Sequence, residues 1–192
     1  TSDVPNTSAR TVTIAVNDGA LTSPAVTKTV LVSSVNDAPS LAGITVNGTE
    51  DTTYTFTDST FTGSVYSDLE NSALVSLRVE TLPTSGTLKL SGTPVTAGQV
   101  IIAADLANLS YVPAANENGP KTFTVTVSDG VSSSSTATVT ISLVSVNDAP
   151  VASGTATLDS IQEDGASSSV GQTIQNLFSA NFSDAADGNQ GA

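Results

Sequence analysis

The sequence has 192 residues, 18 of them acidic and 5 basic, and contains no His, Cys, Met or Trp. A net charge of −13 sets it against nucleic-acid phosphates and anionic lipid, and no run is long and apolar enough to span a membrane. Without Cys there is no disulfide and no thiol chemistry, which leaves a metal or packing to staple a secreted fold.

Residues 11–16 alternate apolar and polar side chains as a half-buried strand does, Asp18-Gly19 turns the chain, and 27–35 reads as a second strand. A series of short strands follows: 40–46, ended by Asn47-Gly48; 52–57; 61–66, continuing the last or standing alone before the loop 67–72; 74–81; 86–90; 99–102; and 109–112. Residues 104–109 have room for one helical turn, Asn118-Gly119 marks a turn, and 122–127 with 136–144 repeat the first hairpin. Thr and Val dominate because β-branched side chains suit a pleated surface. No segment sustains a helical period. The fold class is therefore all-β: an Ig/cadherin-like antiparallel β-sandwich, in tandem array.

The array is read from a repeat. Val35-Asn36-Asp37-Ala38-Pro39 returns as Val146-Asn147-Asp148-Ala149-Pro150, 111 positions on. Backwards from this joint, 10–39 aligns without gaps on 121–150 with 14 of 30 positions identical, including Asp18-Gly19 with Asp129-Gly130. The expected organisation is a partial unit at 1–35, its closing hairpin; one complete sandwich at 36–148; and the amino-terminal part of another unit at 149–192. In that last part Glu163-Asp164 echoes Glu50-Asp51, and Phe182-Ser183-Asp184 echoes Tyr66-Ser67-Asp68. The chain thus reads as an excerpt from a longer array.

The acids avoid the strands and gather at turns and joints, where they also serve solubility. In a seven-stranded sandwich the loop after the second strand and the loop of the closing hairpin lie where the chain comes in. That brings Asp68, Glu70 and Asp129 to Asn36 and Asp37, with no Lys or Arg nearby in sequence. At the other end Glu50, with Asp51 beside it, meets the second joint, Asn147 and Asp148, to which the next unit would add Asp184 and Asp187. Unpaired carboxylates held together repel. A hard divalent cation with six to eight oxygen ligands resolves this, and Ca2+ suits such flexible cages better than Mg2+.

This pattern resembles the cadherin-like tandem repeats of large bacterial surface adhesins, in the branch related to the repeats of the NG2 chondroitin sulfate proteoglycan. The Val-Asn-Asp-Ala-Pro joints resemble the Asn-Asp core of the cadherin linker, Asp68-Leu69-Glu70 the family's Asp-x-Asp, and Glu50 its acid after the first strand. The runs 82–88 and 104–111 are similar to the proteoglycan-type core. Glu70 departs from the second Asp, and Ala38-Pro39 leave no second linker acid, implying fewer ions per joint. The resemblance implies a cell-surface or secreted adhesive extension module, in a Gram-negative bacterium, whose joints Ca2+ stiffens. Its partners are adjacent repeats of the same chain and, through open strand edges, identical chains.

Two other readings compete with it. A carbohydrate-binding module wants an aromatic platform, but Tyr54, Phe56, Tyr111 and Phe123 sit at core positions. A filament could form by strand exchange between the edges of the partial units. Ice binding by the Thr-x-Thr rows (Thr11 and Thr13, Thr122 and Thr124) is a weaker idea. With no His or Cys, and no base beside any Ser or Thr, the chain is expected not to be an enzyme, with no catalytic residues and no organic cofactor.

Overall fold

A computed structural model describes residues 5–149, 151–155 and 182–183. In chain order its elements are β1 (Arg10–Ile14), β2 (Val26–Val30), β3 (Ser40–Leu41), β4 (Ile44–Thr49), β5 (Tyr54–Thr55), α1 (Asp58–Phe61), β6 (Tyr66–Ser67), β7 (Ser76–Thr81), β8 (Thr87–Leu90), β9 (Thr93–Pro94), β10 (Val100–Ile102), β11 (Leu109–Val112), β12 (Gly119–Ser128), β13 (Ala137–Val144), β14 (Val151–Ala152) and β15 (Phe182–Ser183). Short 3-10 turns cover Gly63–Val65 and Ala103–Asn108.

Strict alternation makes the strands two-faced. Phe123, Val125 and Val127 of β12, and Ala137, Val139 and Ile141 of β13, point inward, while the Thr residues between them face outward. Two sheets result, in the orders β10-β7-β12-β13-β4 and β5-β11-β8-β9. The core between them runs from Leu41 to Leu143. Phe56 is its aromatic hub, packed 5.1 Å from Tyr54, 5.5 Å from Phe61 and 5.9 Å from Phe123 between ring centroids. Phe56, Tyr111 and Phe123 are buried, as their sequence positions led one to expect.

Two pairings set up the ends of this sandwich. All the sheet pairs are antiparallel except β4 with β13, which run parallel from Ile44 opposite Val139 to Thr49 opposite Val144. Both strands therefore finish at the same end, called distal here, so that Glu50 emerges beside the second joint. At the other, proximal end, β3 pairs with β6, Ser40 opposite Ser67 and Leu41 opposite Tyr66. This short ladder seats the first joint against the loop that begins at Asp68.

The repeat survives as geometry. β1 and β2 pair with Thr11 opposite Thr29 and Thr13 opposite Thr27, and β12 and β13 pair with Thr122 opposite Thr140 and Thr124 opposite Thr138. Beyond the strands, Ser23 N–H donates to Val16 O at 2.8 Å, and Ser134 N–H donates to Val127 O at 2.8 Å. Only the burial differs: Val12, Ile14, Val16, Val26 and Val30 of the first hairpin are exposed. The pair β14–β15 likewise sets Ala152 opposite Phe182 and Val151 opposite Ser183, as β3–β6 sets Leu41 and Ser40.

Three sequence expectations need correcting. Residues 40–46 are not one strand but two pieces, and Asn47-Gly48 lies inside β4 rather than ending it. Gly48 is there for room: a Cβ would come within 3.0 Å of Leu143 Cδ2. Residues 52–57 keep only β5 as strand. Then α1 intervenes where the sequence reading left a strand or loop; Thr57 N–H donates to Thr60 Oγ1 at 3.2 Å and Phe61 is driven into the core.

Gly86 and Gly92 isolate two costs of a side chain. Both have positive φ, +69° and +82°, but a Cβ at Gly86 would collide with the Tyr111 ring whereas Gly92 faces open space. Gly92→Ala should cost only backbone strain, about 1–2 kcal/mol. Gly86→Ala should lose about a further 1–3 kcal/mol to overpacking. Denaturant unfolding of the two variants measures the difference.

Candidate functional site

The proximal end is built on the turn of the closing hairpin. Asp129 Oδ1 accepts the N–H groups of Val131 and Ser132, each at 2.7 Å. Asp18 does the same in the first hairpin, accepting from Ala20 at 2.9 Å and Leu21 at 2.8 Å. Both carboxyls are held below the usual carboxylate range, chiefly by these backbone bonds. Asp129 has a second use: its Oδ2 accepts Asn36 Nδ2 at 2.8 Å, and Asn36 Nδ2 also donates to Ser132 Oγ at 3.2 Å and to Asp37 O at 2.7 Å.

The acidic loop closes the other side. Asp68 Oδ1 accepts the N–H groups of Glu70 at 3.0 Å and Ser72 at 2.8 Å, so the carboxylate folds its own loop around itself. Asn71 takes a positive φ of 59° to allow it. Glu70 Oε2 then accepts Asp37 N–H at 3.1 Å. Burial pushes the Tyr66 phenol up, and the charges of Asp68 and Asp129 push it further, so both acids act on one side chain. At the proximal end Asn36 thus meets Asp129, and Asp37 meets Glu70 of the loop that Asp68 folds. The ion pairs among the described residues, Arg78–Glu80 and Lys121–Glu117, involve other acids.

At the distal end Glu50 is fully buried, its Oε1 accepting Val146 N–H at 2.6 Å. Asn147 Nδ2 donates to Asp148 O at 3.0 Å, repeating the bond from Asn36 to Asp37. Asp51 turns away and accepts Asn116 N–H at 2.9 Å. Asp184, Asp187, Glu163, Asp164 and Pro150 lie outside the described residues.

These residues fit a cation in one respect and fall short in another. Asp68 Oδ2, Glu70 Oε1 and Glu50 Oε2 are buried carboxylate oxygens with no hydrogen-bond partner, and such an atom is costly unless something cationic or a donor meets it. Yet among the described residues no three Asp, Glu, His or Cys side chains stand close enough to hold a metal ion together. An ion would have to draw on carbonyl, amide or water oxygens as well, which calcium accepts.

The sequence reading missed a second polar cluster at the distal end. Glu117 receives Lys121 Nζ at 2.5 Å and the Ser85 hydroxyl, while Tyr111 Oη donates to Ser85 O at 3.0 Å. Glu117 and Lys121 are four apart across a loop-to-strand boundary, a spacing that signals contact only on a helix.

The comparisons with known proteins bear on the fold these ends belong to. Residues 36–142 match the bacterial Ig domain family. The chain belongs to that family. No curated protein matches it. Among solved structures, this Ig-domain chain is similar to two endo-fucoidan hydrolases of glycoside hydrolase family 107, a variant of MfFcnA4 and MfFcnA9. They are 20% and 19% identical over 77% and 71% of this chain, with TM-scores of 0.33 and 0.32. The chain spans 21% and 22% of those structures, about a fifth of their length. This corrects the expectation that the chain is not an enzyme: the structures it is similar to are hydrolases. The expectation rested on side-chain composition alone. Likeness at these scores carries no argument about the residues of this chain. Among the described residues no helix is long and apolar enough to cross a membrane.

The two turn aspartates give a pH expectation. Their folded pKa values lie below the unfolded value near 3.8, so their contribution to the turns is full above that value and is lost as pH falls through the folded pKa. Carboxyl NMR titration in chelator should show Asp18 and Asp129 each titrating below the value of an unstructured aspartate.

Proposed function

We propose that this bacterial Ig-domain chain is a structural extension module of a secreted or surface-anchored repeat protein, of the cadherin-like adhesin kind, and that Ca2+ stiffens the joints between its units. The observation that carries the reading is the presence of buried, partnerless carboxylate oxygens at the two joints: Asp68 Oδ2 and Glu70 Oε1 proximally, Glu50 Oε2 distally. Support for the unit boundaries comes from the hairpin and the β3–β6 pairing, each of which recurs with the joint between its copies.

Asp68 and Glu70 would hold the proximal ion, with Asp37 next to them; Glu50 with Asp148 would hold the distal one, and Asp184 and Asp187 are the further acids proposed for it. Bound Ca2+ supplies positive charge that removes the repulsion among these acids and ties the linker to both of its neighbours. The chain's own residues do the rest. Asp68 folds the loop 68–72, Glu70 and Glu50 grip the linker backbone at Asp37 and Val146, and the buried Pro39 fixes φ where the chain turns into the sandwich. Modules of this kind outside cells bind calcium with Kd of about 10⁻⁴ to 10⁻³ M.

The test is a melting curve with and without calcium. At about 10 mM Ca2+ a site of that affinity should add about 1.4 to 2.7 kcal/mol of stability, and Asp68→Ala should reduce the gain. Superimposable curves in calcium and in EDTA would remove calcium from the account.

A further inference from the structure

We infer that Asp129 is not a cation ligand but one half of a metal-independent clasp whose other half is Asn36, and that this clasp orients the proximal joint before any ion arrives. The inference does not rest on calcium binding.

Three observations lead to it. First, both oxygens of Asp129 already accept hydrogen bonds: Oδ1 from the N–H groups of Val131 and Ser132, Oδ2 from Asn36 Nδ2 across 93 residues of sequence. Asp68 and Glu70 differ, each keeping one buried oxygen without a partner. Second, Asp18 shapes its own turn through the same two kinds of backbone bond, so the Oδ1 bonds of Asp129 belong to a turn that both hairpins make. Third, the Asn side chain is aimed by the linker itself. Asn36 Nδ2 donates to Asp37 O at 2.7 Å, and Asn147 Nδ2 donates to Asp148 O at 3.0 Å. With the amide nitrogen pinned to the following carbonyl, its remaining N–H is left for Asp129 Oδ2 at 2.8 Å and, more distantly, Ser132 Oγ at 3.2 Å.

This explains the order of residues in the joint. The first position must be a donor, because a carboxylate there would face the carboxylate of Asp129. The second supplies a backbone N–H, which Glu70 Oε2 accepts at 3.1 Å. A charged acceptor makes such a bond stronger than a neutral one. The joint is thus gripped from the hairpin side by Asp129 and from the loop side by Glu70, and the ion-binding capacity left over belongs to Asp68 and Glu70.

The test is an exchange of the two side chains in the full chain, in EDTA. Asn36→Asp sets two carboxylates face to face. Asp129→Asn keeps a turn-making oxygen but presents nitrogen to nitrogen. Each is expected to lower the melting temperature by several degrees. The double exchange restores one donor and one acceptor between the two side chains, although the bond to Asp37 O stays lost, and should lose clearly less than the sum of the two single losses. Additive losses in the double exchange would overturn the clasp, and so would single losses seen only in calcium. If Asp129→Asn fails to fold, the side-chain amide protons of Asn36 in the unaltered chain decide the matter. In EDTA they should exchange with solvent more slowly than those of an exposed Asn, and exchange at the exposed rate would overturn the clasp. Calcium separates the two readings: Asp129→Asn should keep in full the calcium-dependent rise in melting temperature that Asp68→Ala reduces.

Discussion

The carboxylate of Glu50 has no exposed surface, and one of its oxygens takes the backbone N–H of Val146. A carboxylate in such a place is expensive unless donors or a cation satisfy it. Its position follows from one feature of the topology. Because β4 and β13 run parallel, the chain's way out of its first sheet strand and its way out of the sandwich lie side by side. The backbone bond from Glu50 N–H to Val144 O at 3.0 Å continues that ladder by one step. The linker therefore does not leave the sandwich as a free tail: it is held by a side chain belonging to the other end of the fold's sequence. Glu70 does the corresponding work at the proximal joint, taking Asp37 N–H.

Much of this was legible in the sequence, for a physical reason. Period-two alternation of Val, Ile and Thr with outward polar residues specifies which face of a strand is buried, so the hairpin 122–144 could be read directly, and its copy is recognisable by the same pairing although its apolar side chains are exposed. The joint was legible because five identical residues bracket it twice. The proximal acids were legible because sandwich topology alone decides which loops share an end. What failed was local. Asn47-Gly48 has the composition of a turn, but packing of Leu143 against the glycine keeps it in strand. The stretch 52–57 alternates well enough for a strand, yet Thr57 and Thr60 supply a helix start and Phe61 has a core site to fill. The contact of Glu117 with Lys121 and Ser85 depends on two loops meeting, which no periodicity encodes.

The ends also show how one residue pattern serves two purposes. Asp129 and Asp68 each fold a loop by accepting neighbouring N–H groups, which is the ordinary role of Asp in turns. At the joint the oxygens left over differ. Asp129 passes its second oxygen to the linker side chain, while Asp68 keeps its second oxygen buried and free of hydrogen bonds.

The most direct test of a gripped linker is amide hydrogen exchange at Val146 and Asp37. Val146 is 46% exposed, so a free linker and a held one differ sharply at its backbone. Both amides are expected to exchange as slowly as interior amides of β13, with Glu50→Ala releasing Val146 and leaving the amides in the middle of β13 protected. Exchange of either amide in the unaltered chain at the rate of an unstructured peptide would contradict the account.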